Sequence, residues 1–482
     1  MTLKTSEPGA ARNDLARLSA VDLLAGYRTG RFTPADVIED VIAALQRVDA
    51  KCNVVVEPLY DQARAEAARM TEALARGAAQ GALFGVPVTV KDLVYVAGVP
   101  ARGGAPANEG FTPAIDAAVV TRLREAGAIL TAKTTTCESG YKLTADSPVS
   151  GVTRNPWRLD RTSGGSSGGA TGAVAAGCGP LAVGTDGVGS IRVPASFCGV
   201  FGLKPTFGLV PRSPGFSPPS WGSLAHTGPI ARSVADAALM LGVMAGHDAR
   251  DGASLPLGPR DYPIPVAPLD GLKIAASADF GFAAVDSQVR EAFARALDVL
   301  SNLGASVTLE APKVDPEILE RTLKPIALTE QAAAAAARPA ADFERSDADY
   351  RDIVAEGRRY SGVDYIEATY RRGALRAAFL DLFSGYDALV TPTVATTAFA
   401  AGALGPEAIA GRRVDRHLGW SPFSWPMNLT GLPAASAPCG FDADGLPIGL
   451  QIVAPWLEEA RILRIAAAFE RARPWAEVWP GA

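Results

Sequence analysis

The chain has 482 residues, 48% of them hydrophobic and 20% charged, with a formal net charge of -5. That length and apolar content suit a large, well-buried globular protein. The acidic balance argues against a nucleic-acid or anionic-membrane surface, and no apolar run reaches membrane-spanning length.

In chain order, Ser19 caps an expected helix over Ala20–Tyr27, and Thr33-Pro34 opens a second with proline at its first position. Val37, Val41, Ile42, Ala44 and Leu45 give that second helix one apolar face. A third helix is expected over Pro58–Arg76, and the three make an N-terminal helical segment of about residues 1–80. Phe84–Val90 is a short apolar run between turn residues and charge, as in a buried strand. Helix then alternates with strand. Helices are expected at Ala117–Ala126 (Asp116 as its cap), Gly169–Gly177, Val234–Ala245, Val285–Leu303 and Glu458–Arg471. Strands are expected at Ala128–Ala132, Leu181–Gly184, Leu272–Ala275, Ser306–Leu309, Ala388–Val390, Ala434–Ala437 and Gly449–Val453. This alternation predicts an α/β fold, with a central mixed, largely parallel sheet covered by helices on both faces, in a single domain over 1–482. Three stretches read as variable excursions near a site: about 211–222, 331–360 and 393–427.

The N-terminus has no apolar run fit for a signal sequence, and Cys52, Cys137, Cys178, Cys198 and Cys439 never form C-x-x-C. Free thiols in the cytoplasm are expected. His226, His247 and His417 form no ligand pair, so neither metal nor cofactor is expected. A Ser-His-Asp triad needs one histidine, and Gly164–Gly169 spells G-x-S-x-G, but the polar Asn155–Thr162 before it makes a poor elbow strand.

Three segments carry unusual chemistry. Arg161-Thr162-Ser163-Gly164-Gly165-Ser166-Ser167-Gly168-Gly169-Ala170 runs into a helix of small residues. It reads as a linker, a phosphate cradle without the G-K-[ST] of a P-loop, or a serine-bearing loop that glycine lets substrate approach. Gly184-Thr185-Asp186-Gly187-Val188-Gly189-Ser190-Ile191-Arg192-Val193-Pro194-Ala195 ends a strand in a glycine turn that delivers a serine. Pro87-Val88-Thr89-Val90-Lys91-Asp92 closes a buried strand with a lysine.

Together these resemble the amidase signature family. The likeness extends through Phe201–Gly208, Thr227–Ile230, Asn428–Ala434 and Gly445–Gln451. It implies an amide hydrolase in which Lys91 is the base, Ser166, after a cis bond from Gly165, relays the proton, and Ser190 is the nucleophile. Backbone N–H groups of Gly187, Val188, Gly189 and Ser190 would form the oxyanion hole, with Asp186 and Arg192 supporting the loop. A lysine serves as base only if burial pulls its pKa well below about 10.4. Val188 stands where glycine is usual, Thr135 where asparagine is usual, and Cys137 where proline is usual. Cys137 lines the acyl pocket or fills the core. Trp420, Phe423 and Trp425 shape an apolar pocket or belong to the core. The expected substrate is a small-molecule amide or carbamate, with a lean toward aryl amides, anilides or urethanes, hydrolysed by a monomer or homodimer. Alternatives are the glutaminase subunit of a tRNA-dependent amidotransferase and a non-catalytic scaffold of the same fold.

Overall fold

The computed structural model describes residues 15–78, 81–216, 223–265 and 267–481. The first fourteen residues of the N-terminal segment and residues 217–222 of the excursion near 211 lie outside them.

Eleven strands form one sheet: β1 Val55–Pro58, β2 Pro87–Lys91, β3 Ile129–Thr134, β4 Leu181–Asp186, β5 Phe201–Lys204, β6 His226–Ala231, β7 Lys273–Ala276, β8 Ser306–Leu309, β9 Ala388–Pro392, β10 Ala434–Phe441 and β11 Pro447–Val453. Their spatial order is β1-β3-β2-β4-β6-β5-β10-β11-β9-β7-β8. The sheet is mixed, in a single large α/β domain. Parallel ladders join β3-β2-β4 on one flank and β9-β7-β8 on the other. The centre, from β4 through β6, β5, β10 and β11 to β9, runs antiparallel, as does the β1 edge.

That antiparallel centre is where the sequence pattern was least informative. His226–Ala231 contains Gly228 and Pro229, residues that argue against a strand interior, yet Pro229 stands opposite Val183 in register. Strands β1 and β5 have only four residues each and were not expected either. The remaining eight strands overlap the apolar runs.

Helix boundaries follow local chemistry. Ser19 accepts from the Asp22 N–H at the start of α1 (Ala20–Arg28), and Thr33 with Asp36 forms a capping box at α2 (Pro34–Cys52). Asp116 does not cap the helix Ala118–Glu125, whose N-cap is Ala117. Its carboxylate instead accepts from the Ala97 N–H and pairs with Arg124.

Register places the site. β2 and β4 are parallel neighbours, with Val88 opposite Leu181 and Val90 opposite Val183. Lys91 and Asp186, the last residues of these strands, therefore emerge together at the carboxyl ends, where open α/β sheets commonly hold ligands. A small helix, α3 (Gly168–Ala175), is wholly buried beside them, and α4 (Arg192–Cys198) follows the β4 turn.

Candidate active site

Three lysines are fully buried, Lys91, Lys133 and Lys204, and their partners separate them. Lys133 is paired with Asp92 at 2.8 Å, and Lys204 donates to the carbonyls of Pro205 and Leu432. Lys91 alone faces hydroxyls. Its Nζ lies 2.8 Å from Ser166 Oγ, 2.9 Å from Ser167 Oγ and 2.8 Å from Thr185 Oγ1, with the Thr185 carbonyl at 3.3 Å. With no carboxylate bonded to it, burial dominates and pulls its pKa down to about 7.

Ser166 follows a cis bond from Gly165. Only glycine fits at 165, because a Cβ there would sit 2.2 Å from the Thr144 carbonyl carbon. Ser190 is buried, and its Oγ has no hydrogen-bond partner among the described residues. The two serine loops touch through the backbone, where the Ser167 N–H donates to the Ser190 carbonyl at 3.1 Å.

The Ser190 turn is held by a buried polar network. Asp186 accepts from the N–H groups of Gly189 and Ile191 and from the Arg192 guanidinium. Burial alone would raise its pKa, but Arg192 holds it well below the usual carboxylate range. Arg192 also donates to the Ser424 carbonyl, Gln451 Oε1 and Asn428 Oδ1, each at 2.7 Å. Asn428 returns a bond to Asp186 Oδ1 at 2.9 Å, and Ser424 Oγ donates to the Val188 carbonyl at 2.8 Å. Gly189 has φ +132°, and a Cβ on it would meet Ser424 Oγ at 2.5 Å.

The four N–H groups expected as oxyanion donors differ in their partners. The Gly189 N–H is committed to Asp186 at 2.7 Å, so it braces the turn and is not free for a ligand. The N–H groups of Gly187, Val188 and Ser190 have no protein acceptor among the described residues. Val188 itself packs into the main core.

Trp420, Phe423 and Trp425 are fully buried and pack within the main apolar cluster. Trp420 stacks on Phe197 with ring centroids 5.8 Å apart, Phe423 packs edge-on against Phe280, and Trp425 donates to the Leu418 carbonyl. Cys137 is buried in a cluster with Tyr141, Leu328 and Tyr350, and burial pushes its thiol up to about 11. No histidine bonds either serine among the described residues. His226 Nδ1 meets the Leu224 carbonyl at 2.8 Å, and His417 Nε2 meets the Tyr141 carbonyl at 3.1 Å. Arg158–Thr162, before the serine loop, is a half-exposed hairpin strand and no buried elbow strand.

Sequence reasoning missed Ser167 and Thr185 as lysine partners, and Ser424, Asn428 and Gln451 as braces. Asn428 and Gln451 did lie in the two C-terminal stretches that resemble the family.

The sheet delivers a buried lysine beside two serine loops, and the Amidase family model matches residues 36–463. The chain belongs to the amidase signature family, enzymes acting on amide C–N bonds. It is similar to an acylamidase of Rhodococcus erythropolis, 37% identical over 96% of this chain and 97% of that one. A glutamyl-tRNA(Gln) amidotransferase subunit from Cyanothece is 36% identical, over 92% of this chain and 96% of its own. Among solved structures, a bacterial aryl acylamidase superposes with a TM-score of 0.88 at 29% identity, covering 95% and 97% of the two chains. A 6-aminohexanoate cyclic dimer hydrolase in complex with substrate gives 0.86 at 30% identity, covering 97% and 99%.

No helix among the described residues is long and apolar enough to cross a membrane, and no cluster of three or more His, Cys, Asp or Glu among them could hold a metal ion.

Proposed function

We propose that this chain hydrolyses small amides through an acyl-enzyme on Ser190, with Lys91 as base and Ser166 as relay. The observation that carries this reading is a fully buried lysine, unpaired by any carboxylate, 2.8 Å from the Ser166 hydroxyl. A neutral amine has two N–H bonds and one lone pair. Ser167 Oγ is committed as a donor to the Thr185 carbonyl at 3.0 Å, so it accepts from Lys91, as does Thr185. The lone pair is left for the Ser166 O–H.

The steps follow. Ser190 Oγ attacks the amide carbon while its proton passes to Ser166 Oγ, and the Ser166 proton passes to Lys91 Nζ. The oxyanion is met by the N–H groups of Gly187, Val188 and Ser190; one such donor contributes about 10²–10³ in rate. The Lys91 ammonium then returns its proton through Ser166 to the departing nitrogen, and the C–N bond breaks. Water attacks the ester along the same relay and releases the acid and Ser190.

An aryl amide, anilide or aryl carbamate is the proposed substrate class, supported by the acylamidase and aryl acylamidase relatives. A second reading, the glutamine-hydrolysing subunit of an amidotransferase, is favoured by the 36% identical Cyanothece relative. Amine release from anilides, aryl carbamates, aliphatic amides and free glutamine, each compared with Ser190→Ala, tests both. Anilide or carbamate turnover abolished in the variant supports the first. Turnover of glutamine alone, or turnover that survives in the variant, overturns it.

A further inference from the structure

Lys91, Ser166 and Ser190 are buried, so the way in is defined by the partly exposed groups that lie near them. Leu93, two residues beyond Lys91, is one. Its Cδ1 would lie 2.9 Å from a Cβ built on Gly140, and Ser166 Oγ would lie 3.3 Å from the same point. Leu93 and Gly140 are both half-buried, and both lie against the buried Ser166 hydroxyl. The other Leu93 methyl faces Phe216, since both approach the position of a Cβ on Gly103 at 3.0–3.2 Å.

Phe216 belongs to a ring trio. Its centroid is 5.0 Å from Tyr95 and 5.9 Å from Phe111, and Tyr95 and Phe111 are 5.4 Å apart. An isolated antiparallel bridge between Val94 and Gly215 joins the two segments that carry Tyr95 and Phe216. Phe111 remains 40% exposed, and Ile115 beside it in sequence is 53% exposed. Leaving such an apolar cluster in water is unfavourable unless something covers it.

We infer that Leu93 and the Tyr95–Phe111–Phe216 trio form the subsite for the amine half of the substrate, and that this subsite takes an aryl or bulky apolar N-substituent. The inference rests on the proposed mechanism, in which Ser166 gives its proton to the departing nitrogen. That nitrogen must therefore lie on the Ser166 side of Ser190, and its substituent extends over Gly140 and Leu93 toward the rings. Offset or edge-on contact with three aromatic rings suits an aniline better than ammonia or a charged amine. The acyl group lies on the other side, over the Gly187–Ser190 turn.

The test compares 4-fluoroacetanilide with acetamide, which share an acyl group, in wild type, Phe111→Gln and Phe111→Leu. The ratio of kcat/KM for the anilide over acetamide falls roughly fivefold in Phe111→Gln, mostly through KM, and is largely restored in Phe111→Leu. Lengthening the acyl chain at constant aniline leaves that loss unchanged. An unaltered ratio, or a loss that tracks the acyl chain, overturns the assignment. If wild type turns over neither amide, the proposed function fails by itself and the subsite is judged by fluorine NMR of 4-fluoroaniline. Line broadening by wild type that is lost in Phe111→Gln sustains it; equal broadening in both proteins, or none in either, overturns it.

Discussion

Replacing Lys91 by methionine separates the electrostatic claim from the catalytic one. A lysine whose pKa falls from 10.5 to about 7 on folding binds fewer protons in the native chain than in the unfolded chain across that interval. Stability therefore rises with pH from about 7 to about 10.5. Worked from that shift, the buried amine costs about 4 kcal/mol at pH 7 and about 1 kcal/mol at pH 9.5. Methionine fills a similar unbranched space and carries no charge. It also deprives the hydroxyls of Ser166, Ser167 and Thr185 of their amine partner, at about 1 kcal/mol each. The variant should be inactive and more stable than wild type by about 1 kcal/mol at pH 7, and less stable by about 2 kcal/mol at pH 9.5. Urea denaturation at the two pH values measures the swing of about 3 kcal/mol. Parallel stability profiles of the two proteins would refute the claim that this lysine is held neutral by burial.

Further outcomes follow from the same geometry. In wild type, kcat/KM for an amide should rise with pH through about 7 as Lys91 loses its proton, and Ser166→Ala should lower it about 10²–10⁴-fold; a flat profile from pH 6 to 8 would count against the relay. Arg192→Met strands the buried Asp186 carboxylate and should cost about 3–5 kcal/mol in a denaturant titration, with Asp186→Asn in the same chain recovering part of it. Trp420→Ala should cost about 3–5 kcal/mol of stability, and a native-state thiol assay should leave Cys137 unlabelled. Rapid labelling, or a tryptophan variant that loses substrate binding but no stability, would restore these residues to a pocket.

Legibility differed by the kind of signal. Ser19 and Thr33-Pro34 marked helix starts because a cap is local chemistry, and β8 matched its expected bounds at Ser306–Leu309. The β6 strand stayed hidden because Pro229 removes a ladder donor that the pattern would otherwise imply. Lys91, Ser166 and Ser190 stood out through motif and spacing. Ser167 and Thr185, whose hydroxyls accept from a lysine 76 and 94 residues earlier, leave no trace of that kind. The aromatic density around Trp420 and Phe423 looks the same in sequence whether the rings line a pocket or fill a core, and the structure shows both fully buried. The bond from the Gly189 N–H to Asp186 was not legible, because nothing in a glycine turn says which of its donors a nearby carboxylate will claim.

The brace around Arg192 has a consequence for synthesis. Its partner Gln451 lies 259 residues further along the chain. At ordinary rates of elongation that distance takes about 13 to 50 s to translate. Through that interval the nascent polypeptide carries Ser190 and Lys91 without the C-terminal groups that shape the turn between them. The braced turn of the proposed site thus forms late, with the last strand, and a ribosome stalled before it would hold a chain with Lys91, Ser166 and Ser190 but without Gln451 to brace Arg192.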